Sequence, residues 1–230
     1  MPSGGRRPYA SGVSTEPPPP SLTERRKAAT QLDIAHAAAE LFATRGPEGT
    51  TAEDIARRAG VALRTFYRYF RSKQDAVGPL LTVGADRWRA LLARARPGDA
   101  LGPALRDAVE QALATPDPQA VEALLRTRGL LRAAADDPAL RAVWYRVNQE
   151  LEELLVPVIA RLADGRREPL EVRLIAAAAT DAIRIALETW SGTEAATQGP
   201  GSPADLAVRC LRSLLGGMGT PDDGSHTGRS

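Results

Sequence analysis

Cysteine is all but missing from this chain: Cys210 stands alone among 230 residues, so no internal disulfide can form. Histidine is as scarce, and His36, His226 and Cys210 are too few and too scattered for a zinc site. No run approaches the roughly 18 uninterrupted apolar residues of a membrane span. The first twenty residues also lack the apolar centre of a secretory signal. A soluble, cytoplasmic chain without metal or membrane partner is expected. Aromatic residues make up only 4%, and β-branched residues are thin beside Ala, Leu, Arg and Glu, which argues for an all-α fold. Catalytic motifs are absent as well. There is no Gly-rich dinucleotide loop after a strand, no P-loop and no convergent Cys–His pair. Ser191 in TWSGTE has no strand before it, and Glu152 and Glu153 are adjacent on a helix and so diverge. Neither an enzyme nor a cofactor is expected.

Acidic residues disappear between Ile55 and Lys73, a stretch that holds Arg57, Arg58, Arg64, Arg68, Arg71 and Lys73. Residues 1–75 carry 12 basic and 8 acidic side chains, whereas 76–230 carry 18 and 20. A basic stretch of this kind suits a polyanion at the N-terminal end. On charge alone a solvated face is the plainer reading.

Helix starts are legible. Ser21-Leu-Thr-Glu24 reads as a capping box, followed by Leu32, Ile34, Ala35, Ala38, Leu41 and Phe42 at helical spacing until Gly46-Pro47. Asp117-Pro118, Asp137-Pro138, Glu168-Pro169 and Ser202-Pro203 each place proline at a first helical position, where its missing N–H costs nothing. Nine helices are predicted, near 22–45, 52–59, 63–69, 73–96, 102–114, 118–134, 138–164, 169–190 and 203–216. Within the fourth, Pro79 should strand the Asp75 carbonyl and kink the helix near 75–79, a candidate hinge or a static bend. Residues 1–20, with four consecutive prolines, and 217–230 should be disordered tails.

Residues 51–73 read TAEDIARRAGVALRTFYRYFRSK. A short helix with Ile55, Ala56 and Ala59 inward meets Gly60, which can take the left-handed turn between two helices. On the next helix Phe66 and Phe70 face the core, while Arg64, Thr65, Arg68 and Tyr69 project elsewhere and Tyr67 lies at the border. This is a helix-turn-helix pattern, whose second helix fits a major groove.

With AAAELFATRG before it, EDIA, the turn AGV, TFYRYF and the closing SK, the segment 24–75 resembles the tetracycline-repressor (TetR) family of bacterial regulators. The resemblance implies a homodimer in which residues 21–73 bind a double-stranded operator and 74–216 bind a small effector and dimerise. Repression is the implied mode; activation, or an architectural protein without effector, are the alternatives. It also implies that Thr51 and Ala52 begin the helix crossing the DNA backbone. Leu63, Arg64 and Thr65 would lie nearest base edges, with Ala62 at the start of their helix and Arg68 also at the DNA, and with Tyr67, Tyr69 and Lys73 at phosphates. Family members often have Ser or Thr where Ala62 stands and Gly where Arg64 stands, so this helix lacks a cap and gains a forked donor.

The C-terminal part is most similar to actinobacterial members associated with acyl-CoA-like ligands. Trp88, Leu92, Leu105, Val109, Leu124, Trp144 and Ile183 are candidate walls of an apolar cavity, with Arg128, Asn148 and Thr180 as polar anchors. A core filled by the same aromatics is the competing reading. Helices 169–190 and 203–216 are candidate dimer helices, and Ala176 to Ala179 would let each patch meet its own copy closely.

Overall fold

The computed structural model describes residues 21–216; the tails expected at 1–20 and 217–230 lie outside them. The described residues form nine α-helices and no strand: α1 (Leu22–Arg45), α2 (Ala52–Arg58), α3 (Leu63–Tyr69), α4 (Gly78–Leu92), α5 (Leu101–Leu113), α6 (Pro118–Asp136), α7 (Pro138–Ala163), α8 (Pro169–Ser191) and α9 (Pro203–Gly216). A 3₁₀ turn, Asp75–Val77, precedes α4.

Local chemistry sets these boundaries. The Ser21–Glu24 box closes in both directions, at 2.7 and 3.2 Å. A second box joins Thr51 and Asp54 at the start of α2. Burial pulls α1 together along Ile34, Ala38, Leu41 and Phe42, and Gly46 ends it at φ 71°. Thr50 is buried beneath that turn and donates to the Gly46 carbonyl at 2.9 Å.

The helices share one continuous core. α7 packs against α4, α6 and α8; α9 lies along α8 and against α5; α1 packs on α2, the 3₁₀ turn, α4 and α6. Three polar ties hold the connection after α3. Lys73 Nζ donates to the Pro47 carbonyl at 2.8 Å, Gln74 Nε2 donates to Asp137 at 3.0 Å, and Arg146 on α7 pairs with Asp75 at 2.8 Å.

The expected kink at Pro79 is not there. The helix predicted from residue 73 begins instead at Gly78, so Pro79 sits in the first turn, where its lack of an N–H is harmless. The Asp75 carbonyl is not stranded, because the Gly78 N–H bonds to it. α4 also stops at Leu92 rather than 96, unwinding through single turns closed by Arg94 and Ala95. The interior proline of the fold is Pro157 in α7. It is exposed, as is Glu153, whose carbonyl loses its intrahelical donor and can turn to water.

Candidate nucleic-acid interface and ligand cavity

α2 and α3 are joined by a turn whose bonds are those of a Schellman motif. The Val61 N–H reaches the Ala56 carbonyl at 2.9 Å and the Gly60 N–H reaches Arg57 at 3.2 Å, with Gly60 at φ 69°. A residue with a Cβ would strain that φ, so glycine fixes the angle at which α3 leaves. Phe66 is fully buried and packs on Phe70 at a centroid distance of 5.7 Å, anchoring the inner side of α3. Ala62 provides no side-chain cap, as its residue type dictates.

With Phe66 inward, α3 turns Leu63, Arg64, Tyr67 and Arg68 to the outside, while Thr65 and Tyr69 are half-buried. Thr51 and Ala62 are exposed and Ala52 is half-buried at the start of α2. Arg64 makes no hydrogen bond or ion pair among the described residues. Arg68 lies over the Tyr69 ring at 4.9 Å and donates to its hydroxyl. Arg71 is exposed and likewise without a carboxylate partner among the described residues, whereas Arg57, Arg58 and Lys73 are engaged. Arg57 pairs with Asp54, and Arg58 grips Glu40 of α1 through two bonds of 2.7 and 2.8 Å. The Thr51 hydroxyl and N–H, then Arg57, hold the Asp54 carboxyl below its ordinary value. Lys73, expected at a phosphate, is half-buried and bonded to the Pro47 carbonyl. Its position under the α1–α2 turn makes it a brace for that turn.

Farther along, helices α1, α4, α6, α7 and α8 and the end of α5 enclose a cavity of about 280 Å³. Of the residues singled out from the sequence, Trp88, Leu124, Trp144, Asn148 and Ile183 lie on its wall. The other five do not. Leu92 and Val109 are fully buried in the core. Leu105 lines a smaller cavity of about 190 Å³ beside Arg167 and Leu174. Thr180 is buried one turn before Ile183 and is not on the wall. Arg128 is directed at α8: its guanidinium stacks 3.7 Å from the Trp190 ring and donates to the Ala195 carbonyl. α6 turns Leu124, Thr127 and Leu130 to the cavity, leaving Arg128 to brace the turn after α8.

The wall also contains residues that the sequence did not single out: Leu32 and His36 of α1, Leu80, Gly84 and Arg87 of α4, Thr115 after α5, and Arg126 and Thr127 of α6. Leu32 and His36 are four apart and therefore share a helix face, a signal present in the sequence. Of the wall residues, Trp144 donates to Glu188, which is not on the wall, at 2.7 Å, and Asn148 donates to the Trp144 carbonyl at 2.9 Å. The Trp88 Nε1 is buried without a partner.

Leu170, Leu174 and Ile185 of α8 and Leu214 of α9 are exposed apolar side chains. Among the alanines expected to meet a second copy, Ala176 and Ala179 are instead fully buried within this chain, and Ala177 and Ala178 are half-buried.

Residues 34–77 match the family described as "Bacterial regulatory proteins, tetR family". MftR of Mycobacterium tuberculosis, named as a transcriptional regulator, is 27% identical over 199 residues, 86% of this chain and 98% of its own. The transcriptional regulator TcmR of Streptomyces glaucescens is 32% identical over 145 residues, 61% of this chain and 63% of its own. Among solved structures, the transcriptional repressor FadR of Thermus thermophilus, in complex with lauroyl-CoA, superposes with a TM-score of 0.55 at 23% identity. That match covers 86% of this chain and 100% of FadR.

Proposed function

We propose, from a chain that is a TetR-family regulator in its N-terminal domain and in its fold, that it represses transcription as a homodimer on a pseudo-palindromic operator and is released by a small, largely apolar effector. In this reading residues 21–73 bind DNA in the cytoplasm, and 74–216 hold the effector and the dimer contact. The exposed leucines of α8 and α9 supply apolar surface for that contact. Arg64 reads a guanine edge, Leu63 and Tyr67 offer apolar edges to thymine methyls, and Thr65, Arg68 and Tyr69 fix the helix in the groove. Thr51, Ala52 and Ala62 lie at the helix starts nearest the DNA backbone.

The observation that carries this reading is the make-up of the cavity wall. It is shared by α1, the helix on which α2 packs, and by α7, whose N-cap and Arg146 hold residues 74 and 75. A guest that moves either helix therefore acts on the segment leading to α3. An architectural protein without effector would need no such cavity. With Pro79 in a first turn, the coupling runs through these ties rather than through a proline hinge.

Selection from a random duplex library tests the DNA half. The expected product is a two-fold symmetric site with half-sites about 34–36 Å or somewhat more apart. Selected sites without symmetry, or a strictly monomeric protein at micromolar concentration by light scattering, would refute it.

A further inference from the structure

We propose that the cavity selects its guest by charge, taking an apolar molecule that carries one negative charge, such as a medium-chain carboxylic acid. This deepens the effector reading above and rests on it.

The wall holds no aspartate and no glutamate. Its charged side chains are two arginines, Arg87 and Arg126, with His36 as the one other titratable side chain. A cationic guest would find no counter-charge there, and stripping water from an unpaired ammonium is costly. An anion meets the opposite situation. Arg87 donates to the Gln111 carbonyl at 3.1 Å, which positions the guanidinium without neutralising it. Arg126 is already paired with Glu122 at 3.0 Å. One arginine without a carboxylate partner among the described residues therefore stands at the exposed edge of the cavity wall, and it matches one negative charge. A coenzyme A thioester, with several phosphate charges, exceeds what this wall can balance.

The remainder of the wall suits a hydrocarbon body: leucines, Val147, Ile183 and the rings of Trp88 and Trp144. At roughly 30 Å³ for each water-sized group, 280 Å³ accommodates about nine or ten non-hydrogen atoms. An acid of seven or eight carbons, about nine or ten non-hydrogen atoms, fills that volume with its carboxylate at the arginines.

Titration calorimetry of the full chain against four probes with the same alkyl chain tests the proposal: octanoate, neutral octanamide, cationic octylamine and octanoyl-coenzyme A. Octanoate should bind at least tenfold tighter than octanamide and tighter still than the amine and the thioester. The double variant Arg87→Gln, Arg126→Gln should bring octanoate to the level of octanamide. Octanamide binding within twofold of the parent shows that the variant's cavity is intact. Octanamide or octylamine binding as tightly as octanoate would overturn the charge inference and leave the effector cavity standing. Tighter binding of the thioester would overturn the single-charge match. An octanoate preference that survives in the double variant would overturn the arginine assignment. If none of the four binds the parent, the effector reading of the cavity falls, and the inference falls with it.

Discussion

Asp137 offers a quantitative test of how the cavity helices are joined to the segment before α4. It is 8% exposed. One carboxylate oxygen caps α7 by accepting from the Leu140 N–H at 2.9 Å, and the other accepts from Gln74 at 3.0 Å. Asp137→Ala removes both. The cap contributes about 1 kcal/mol and the charge-assisted bond about 1.5–3 kcal/mol, so the variant should lose on the order of 2–4 kcal/mol. Gln74→Ala removes only the second bond. In a double-mutant cycle by urea denaturation the two should couple by roughly 1–2 kcal/mol. Burial pushes the Asp137 carboxyl up. The hydrogen bonds from Gln74, Leu140 and Ala139 and the charge of Lys73 outweigh it, leaving the group below its ordinary value. A depressed carboxyl stabilises the fold fully above the ordinary aspartate range and loses that contribution as pH falls through the folded value. The gap between parent and Asp137→Ala should therefore be constant near neutrality and narrow as pH falls from about 4. Strictly additive losses, or a gap that stays constant down to pH 3, would refute the tie.

The two prolines should behave oppositely. Pro157→Ala restores an interior helix bond at an exposed site and should stabilise by about 1–3 kcal/mol, whereas Pro79→Ala should cost about 0.4–1 kcal/mol by loosening the unfolded chain. At roughly 2–4 °C per kcal/mol for a chain of this size, thermal melts resolve both; a clear rise for Pro79→Ala would contradict its first-turn position. Arg64→Ala should relax base preference at one position per half-site by about 1–3 kcal/mol in a repeated library selection, and an unchanged profile would remove it as a base reader. Lys73→Met should destabilise the α1–α2 turn by about 1.5–3 kcal/mol with an unchanged salt dependence of DNA binding. A slope smaller by one counterion with stability unaffected would return Lys73 to a phosphate.

Helix starts were readable because their chemistry is local: Ser21 with Glu24, Thr51 with Asp54 and the Asp-Pro pairs each carry their signal within four residues. Pro79 was misread for a related reason. The apolar pattern reads as one helix from residue 73, and a start five residues later moves the same proline from interior to first turn. Pro157 passed unnoticed because Leu151, Leu155, Ile159 and Leu162 keep helical period around it and are all buried. Half of the named cavity residues reached the wall because large apolar side chains must be buried somewhere. Which side of α6 faces the cavity depends on where α8 lies, so Leu124 and Arg128 could not be separated in advance. His36 and Leu32 were missed because α1 was read only as part of the DNA-binding unit. The Arg58–Glu40 pair spans two helices and 18 positions, beyond any local rule.

The pairing of Arg57 and Arg58 with acids of their own chain bears on how the proposed regulator would find an operator. It leaves Arg64, Arg68 and Arg71 as the exposed arginines of the basic stretch without a carboxylate partner among the described residues. Six such charges in the proposed dimer would displace about five counterions, a modest contribution from this stretch. Through this stretch random DNA would then hold the protein only weakly at cellular ionic strength. The dimer would sample the chromosome through short visits with frequent release rather than long sliding runs, and its residence at the correct site would depend on base-edge contacts more than on charge.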